Sequence, residues 1–198
     1  MWRDKHLNTK LKNRAKLTGA INERMVSMNH TIETILTRRS IRKYKTAPIS
    51  PNEIQLMLEA AMSAPSANNQ KPWHFMVITE SDKLTVLASM HGGARFIKDA
   101  PLAIVVFGDP SNATLPVFWR EDCAAATENI LLAGHSLGIG GTWIGVGHTD
   151  VAMMNLIQHT LSVPERYIPF SVLALGYPAE QRDAGERYLS QRVHNNQW

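Results

Sequence analysis

The chain has 198 residues, of which 44% are hydrophobic and 19% charged, a composition typical of one folded domain with a substantial core. Its net charge of +4 permits nucleic-acid binding without requiring it, and its single cysteine, Cys123, excludes an intrachain disulfide. The longest apolar stretch, Cys123 to Leu137, is too short to cross a bilayer and no secretory signal is recognisable, so we expect a soluble, cytoplasmic protein.

Residues 1–28 differ from the rest of the chain because they are polar and basic, with Leu7, Leu11 and Ala15 at helical spacing. We interpret them as a basic N-terminal extension, either a surface helix or a disordered arm, in front of a domain formed by residues 29–198. A misassigned leader and a basic arm that binds membrane or nucleic acid are the alternatives for this segment.

Helical and strand patterns alternate along residues 29–198. A short helix over HTIETILTRR is followed by a stronger one, in which Ser50 is placed to cap, Pro51 suits the first helical position and Glu53 completes a capping box. The strand HFMVIT comes next, and Ser81 is the predicted cap of the helix that follows it.

The second half of the chain continues this alternation. APLAIVVFGD is a nearly continuous apolar strand, which predicts burial on both faces. The helix from Glu121 to Leu137 is apolar almost all round and ends at Gly138. The strand TWIGVG, a helix capped by Thr149 and the strand PFSVLALGYP follow. These patterns predict an α/β (α+β) protein whose sheet is covered by helices on both sides, in three layers.

One connection is longer than its position requires. APSANNQKPW, residues 64–73, joins a helix to a strand, for which about two to six residues suffice. It contains two prolines and three side-chain amides. Such a loop is expected to have a role beyond connection.

The basic segment RRSIRKYK, residues 38–45, has five basic side chains in eight residues. A solvated surface or a nucleic-acid patch would explain the charge. However, Arg38, Ser40 and Arg42 alternate along an extended segment after a helix, so they would face one way. Two guanidinium groups and a hydroxyl match a phosphate, to which arginine donates bidentate, charge-assisted hydrogen bonds. A phosphate-bearing ligand is therefore the alternative to a plain charged surface.

The segment LGIGGTWIGVG, residues 137–147, has five glycines but is not a dinucleotide-binding fingerprint. A G-x-G-x-x-G pattern starting at Gly138 would need glycine where Trp143 stands, and here the helix precedes the strand. A helix stop explains Gly138 but not the pair Gly140 and Gly141. We expect that pair to let backbone N–H groups approach a flat ligand closely.

Other chemical sites find little support. The eight histidines include no pair at helical metal-ligand spacing, and there is no G-x-S-x-G motif. Cys123 lies in an apolar helix and is predicted to be a buried, inert thiol. Glu121 and Asp122 are adjacent and favour the positive end of a helix, so we interpret them as structural.

Five segments together resemble the nitroreductase family of FMN-dependent oxidoreductases. They occur in the family's order from about Asn29 to Trp198: RRSIRKY, APSANNQKPWHFMVI, DCAAATENILLAGHSLGIGGTWIG, LGYP and RYLSQRVHNNQW. The resemblance implies a three-layer α-β-α fold with a central mixed or antiparallel sheet. It also implies an intertwined homodimer with two FMN molecules at the interface.

The resemblance further implies roles for individual residues. Arg38 and Ser40 would hold the FMN phosphate, Arg39 would contribute mainly through its backbone, and Arg187 would be a second phosphate ligand. Arg42 would lie near the pyrimidine edge of the flavin, where a positive charge stabilises the reduced, anionic ring. The second subunit would supply ring and ribityl contacts from Pro65, Ser66, Ala67 and Asn69, and the backbone facing flavin N5 would be that of Gly140, Gly141 and Thr142.

The activity implied is ping-pong hydride transfer, by way of flavin N5, from NADH or NADPH to a nitroaromatic, a quinone or a similar electron-poor acceptor. Because the flavin carries the chemistry, no catalytic side chain and no metal are expected. Dehalogenation, flavin fragmentation and azoline oxidation by relatives of the family are the alternatives. A basic nucleic-acid-binding protein is a further one, which would leave the amide loop and the glycine pair unexplained.

Overall fold

A computed structural model describes residues 29–147 and 149–198, and the chain divides into two units, residues 1–37 and 38–198. In the first unit the described residues form the helix α1 (His30–Thr37), in which the backbone N–H of Thr31 donates to Asn29 Oδ1 at 2.9 Å. The helix ends two residues earlier than HTIETILTRR suggested. The extension expected over residues 1–28 lies outside the described residues.

The described residues of the second unit alternate between helices and strands, as the sequence patterns predict. Its elements in chain order are α2 (Pro51–Met62), β1 (Trp73–Ile78), α3 (Ser81–Ala88), β2 (Leu102–Gly108), α4 (Trp119–Ser136), β3 (Gly140–Gly145), α5 (Val151–Leu161) and β4 (Ile168–Gly176). Short 3-10 turns cover Ala67–Asn69 and Gly92–Asp99 in the connections.

The four strands form one sheet in the order β1-β2-β4-β3, and each neighbouring pair is antiparallel. Of the two sheet types expected, mixed or antiparallel, the structure has the antiparallel one in these strands. Strand β2 is buried along its whole length, which confirms its prediction as a strand covered on both faces.

Helices cover both faces of this sheet. Met57 of α2 and Ile130 of α4 pack with Leu173 of β4 on one face. On the other face, Leu87 of α3 and Ile157 of α5 pack in a second cluster with the turn Gly92–Asp99. The sheet is therefore the middle of three layers, as predicted.

The capping signals in the sequence were partly correct. Ser50 caps α2 and forms the complete capping box with Glu53. Gly138 has a φ of 78° after α4, which confirms it as the helix stop. Two other cap predictions were wrong by one residue. Ser81 is already the first residue of α3, and the cap of α5 is Asp150 rather than Thr149.

The first residues of one helix and one strand also differ from those predicted. Helix α4 begins at Trp119 rather than Glu121, since Pro116–Phe118 form a 3-10 turn that leads directly into it. Strand β3 begins at Gly140, so the glycine pair lies in the strand and not in a turn before it. The difference arises because β3 pairs with β4 from Gly140 onward.

The assignment of Asp150 as the N-cap of α5 can be tested directly. Asp150 Oδ1 accepts a hydrogen bond from the backbone N–H of Met153 at 3.0 Å. We expect Asp150→Ala to lower the free energy of unfolding by about 1 kcal/mol. Thr149→Ala should leave it unchanged, and urea denaturation of both variants measures the difference. Equal losses would contradict the assignment of Asp150 as the cap.

Candidate functional site

The basic segment is anchored to the start of strand β3. Ser40 forms a parallel bridge with Gly141, and the backbone N–H of Ile41 donates to Gly141 O at 3.1 Å. The Thr142 hydroxyl donates to Ile41 O at 2.6 Å. Ile41 is buried, so alternation along this extended stretch directs the side chains of its neighbours Ser40 and Arg42 to the opposite side.

The chain after β4 folds back along the same segment. The backbone N–H of Lys45 donates to Tyr177 O at 2.8 Å, and that of Ala179 donates to Lys43 O at 2.9 Å. The backbone N–H of Arg42 donates to Glu180 Oε1 at 2.6 Å, which contributes to a pKa of Glu180 below its ordinary value. This pairing brings the residues after 180 next to residues 38–42.

Three of the predicted phosphate ligands are brought together in this way. The Nε of Arg39 donates to Asp183 O at 2.7 Å, and its Nη1 donates to Arg38 O at 2.6 Å. Burial and then the positive charges of Arg187 and Arg38 hold the pKa of Arg39 below its ordinary value. Arg38 and Arg187 therefore each lie within electrostatic reach of Arg39, and these three residues are called the cationic cluster here. The Arg39 side chain takes part in it, whereas a contribution mainly through its backbone was predicted.

Helix α4 borders this cationic cluster. The Nε of Arg38 lies 3.2 Å from Glu128 Oε1, with only 19% of the Arg38 side chain exposed. Burial and then the charges of Arg38 and Arg39 lower the pKa of His135, in the last turn of α4. Arg38 and Arg39 thus contribute positive potential to this region, which the carboxylate of Glu128 partly offsets. Sequence reasoning missed Glu128 and His135, because their distance from residue 38 in the chain conceals the contact.

Arg42 has a different environment from the cationic cluster. It is exposed, and its guanidinium carbon lies 5.7 Å from the ring centroid of Phe96. A cation over an aromatic face at this distance gains a modest attraction. The side chain of Arg42 is therefore placed over the turn Gly92–Asp99.

The structure gives a packing reason for the glycine pair. A Cβ on Gly140 would lie 2.7 Å from Ile41 Cγ1, and one on Gly141 would lie 2.7 Å from Leu175 Cδ2 and 2.8 Å from Leu131 Cδ2. A side chain at Gly140 would therefore need a shift of Ile41, and one at Gly141 would need the terminal methyl groups of two leucines to move. Packing is thus one explanation for these glycines, and the expected close approach of a flat ligand to their backbone stays a prediction.

The amide loop, defined here as residues 65–71, has an unusual backbone. Asn68, Asn69 and Lys71 have φ values of 48°, 54° and 49°, in the left-handed region that residues other than glycine rarely adopt. The backbone N–H of Lys71 donates to Ser66 Oγ at 3.1 Å, which closes the loop on itself.

Two of the three amides in the loop bond within the chain. The Gln70 amide donates to Asp122 Oδ2 at 2.6 Å and accepts from the Leu115 N–H at 2.8 Å. The Asn68 amide donates to Thr114 Oγ1 at 3.2 Å. Asn69 is exposed, and among the described residues its side chain forms no hydrogen bond.

The other loop positions predicted to contact a ligand differ in accessibility. Pro65 is exposed, while Ser66 and Ala67 are half-buried. The Ser66 hydroxyl accepts from the Lys71 N–H, and Ala67 donates its backbone N–H to Asp122 Oδ1 at 2.8 Å. The loop thus leaves Pro65 and Asn69 as its most accessible predicted contacts.

Asp122 is structural, as predicted, but its partner is the amide loop. It is 5% exposed and accepts from Ala67 and Gln70. Cys123 is also buried, and burial raises its thiol pKa to about 12, which confirms an inert thiol. Within residues 29–147 and 149–198 no cluster suits a metal ion, and no helix there is long and apolar enough to span a membrane.

The fold and this site define a three-layer α+β protein with an arginine cluster at the edge of its sheet. The sequence model of the nitroreductase family matches residues 35–91 and 81–177, and the chain belongs to this family. A protein of Methanothermobacter thermautotrophicus named "Putative NADH dehydrogenase/NAD(P)H nitroreductase" is 39% identical over 198 residues, covering 100% of this chain and 98% of that protein. The NADPH-flavin oxidoreductase of Vibrio harveyi is 29% identical, covering 86% of this chain and 75% of that protein.

Solved structures agree with this membership. The FMN-dependent nitroreductase of Clostridium difficile R20291 is 33% identical with a TM-score of 0.79, covering 84% of this chain and 99% of that one. The NADPH:FMN oxidoreductase of Vibrio harveyi, solved with NAD+, is 27% identical with a TM-score of 0.75, covering 86% of this chain and 78% of that one. The family is thus one of NAD(P)H-dependent flavin oxidoreductases.

Proposed function

We propose that this protein is an FMN-dependent oxidoreductase that moves hydride from NADH or NADPH to a nitroaromatic, a quinone or a similar electron-poor acceptor. Bound FMN supplies the hydride chemistry at its N5 atom, in a ping-pong cycle. The observation that carries this proposal is the cationic cluster of Arg38, Arg39 and Arg187 beside Ser40. It fits a phosphate dianion, the terminal group of FMN.

The arginines and Ser40 would hold that phosphate. Arg38 and Arg187 offer planar donor groups that can make bidentate bonds to phosphate oxygens. Burial, and then repulsion from Arg187 and Arg38, disfavour the charged form of Arg39 and lower its pKa. A bound phosphate would reverse this effect, because its negative charge offsets the repulsion among the guanidinium groups.

Other residues would orient the flavin ring. Exposed Arg42 would place its positive charge near the pyrimidine edge and favour the anionic reduced ring. Backbone groups of Gly140, Gly141 and Thr142 would face the N5 edge, although the Gly141 carbonyl already accepts from Ile41. The accessible side chain of Asn69 would contact the ring or the ribityl chain.

We propose that residues 29–198 form the FMN-binding domain and that it works as a homodimer, with the amide loop serving the flavin of the second subunit. The loop bonds to the first turn of α4, whereas Arg38 bonds to Glu128 about 9 Å further along the helix axis. Exposed apolar side chains also support an interface. They are Val117, Phe118, Tyr188, Leu189 and Val193, exposed by 74%, 45%, 71%, 41% and 51%. The proposal includes neither a nucleic acid nor a membrane among the partners of this protein.

The test begins with the purified wild-type protein. We expect it to show flavin absorption or to take up FMN on titration, and to oxidise NADH or NADPH when a quinone or a nitroaromatic is present. Light scattering should give a mass twice the 22.1 kDa of the chain. Assays with iodotyrosine, reduced flavin and azoline substrates separate the alternative activities. A colourless protein that binds no FMN would contradict the proposal.

A further inference from the structure

The amide loop has a backbone that its own residues disfavour. Three of its seven residues, Asn68, Asn69 and Lys71, are left-handed without being glycine. Asparagine tolerates this region better than most residues, but lysine has no such advantage. A loop of this kind persists only when surrounding contacts over-determine it.

Asp122 provides those contacts from the first turn of α4. Its Oδ1 accepts from the Ala67 N–H at 2.8 Å, and its Oδ2 accepts from Gln70 Nε2 at 2.6 Å. The two donors lie on either side of Asn68 and Asn69, so one buried carboxylate holds both ends of the turn. Among the described residues, every side-chain hydrogen bond that Asp122 accepts comes from the loop.

Gln70 then links the loop to a second segment. Its Nε2 also donates to Leu115 O at 3.1 Å, while its Oε1 accepts from Leu115 N at 2.8 Å. If the amide were rotated by 180°, its Nε2 would face the Leu115 N–H, a second donor, and its Oε1 would face Leu115 O, a second acceptor. The amide orientation is therefore determined, and its Nε2 must meet a negative or acceptor group at residue 122.

We propose that Asp122 and Gln70 form a clasp that positions the amide loop for the flavin, with Asp122 as the positioning residue. This inference rests on the proposed function, since the loop is useful only if FMN lies against it. The clasp presents Asn69 and Pro65 outward while Gln70 and Asn68 point back toward the chain. Binding then requires little further ordering of the loop, which favours affinity.

The experiment compares five variants of the full-length protein, of which Asn69→Ala removes the side chain proposed to contact FMN. Asp122→Asn places a donor against Gln70 Nε2, and Gln70→Glu places a carboxylate against Asp122. In the double variant the amide of residue 122 can donate to the carboxylate of residue 70, so the hydrogen bond is restored with donor and acceptor exchanged. Thr127→Val is the matched control, because Thr127 is fully buried in α4 and bonds Cys123 O at 2.7 Å and Ser171 Oγ at 3.1 Å, away from the loop.

Three measurements are made on each protein: the FMN dissociation constant, the melting temperature, and hydrogen exchange of the Ala67 and Leu115 amides without FMN. We expect each single variant to weaken FMN binding about tenfold and to speed exchange at both amides. The double variant should recover part of the affinity. Thr127→Val should lower the melting temperature and leave the FMN dissociation constant unchanged. Asn69→Ala should weaken binding without changing the exchange.

Several results would overturn the inference. FMN affinity within twofold of wild type in both single variants would do so, as would unchanged exchange at both amides. A loss of affinity in Thr127→Val equal to that in Asp122→Asn would show that global stability is responsible. If Asp122→Asn does not fold, the half-exposed Gln70→Glu carries the same comparison. Failure of the wild type to bind FMN would instead contradict the proposed function, while the exchange data would still decide on the clasp.

Discussion

Replacing Arg38 with alanine should weaken FMN binding by about 10- to 100-fold, because hydrogen bonds to a charged phosphate contribute about 1.5–3 kcal/mol. The Arg38 side chain is largely buried and lies 3.2 Å from Glu128 Oε1, so its contribution is poorly screened by solvent. Arg187→Ala should have a similar effect, and Arg38→Lys should recover only part of the loss, since lysine lacks the planar fork. Flavin fluorescence titration measures each constant.

The matched control is Lys43→Ala, which removes one positive charge from the same basic segment. Lys43 is exposed, and its backbone carbonyl accepts from Ala179, a bond that the substitution retains. We expect its FMN dissociation constant to change by less than about threefold, because Lys43 is not a proposed phosphate ligand and an exposed charge that acts from a distance is screened. Equal losses in Lys43→Ala and Arg38→Ala would indicate a diffuse attraction and would contradict a phosphate site at the cationic cluster.

Replacing Gly140 with alanine should damage both the fold and the site. The added Cβ would lie 2.7, 2.8 and 3.0 Å from three side-chain atoms of Ile41. Ile41 cannot move easily, since its backbone bonds Gly141 and its carbonyl accepts from the hydroxyls of Thr142 and Tyr44. Overpacking of this kind costs about 1–3 kcal/mol. We expect a loss of that size in urea denaturation.

The same substitution should also weaken FMN binding, because relief of the clash displaces Ile41 and with it the segment that carries Arg38 and Ser40. Gly145→Ala is the control in the same strand, since its Cβ would meet only Trp143 Nε1 at 4.0 Å. It should fold and bind FMN as the wild type does. Normal FMN affinity in a destabilised Gly140→Ala would show that the contact with Ile41 does not position the phosphate ligands.

Much of the fold was readable from local patterns. The apolar run of β2 predicted burial on both faces, and Ser50, Pro51 and Glu53 predicted the start of α2, because these signals act within a few residues. The cap of α5 was placed one residue early, since Thr149 and Asp150 are both competent caps and only the local backbone selects between them. The resemblance to the nitroreductase family was also readable, because five segments occur along the chain in the order typical of that family.

The sequence by itself thus determined the layers, the family and the residue types that suit an anion. Only the tertiary structure decided that Ile41 packs against Gly140 where a side chain would lie, and that Gln70 hydrogen-bonds Asp122. It also decided which distant residues join the cationic cluster, as Glu128 does with Arg38. The physical reason is that helix caps and strand alternation depend on neighbours in the chain, whereas steric closure and electrostatic fields depend on distances set by folding.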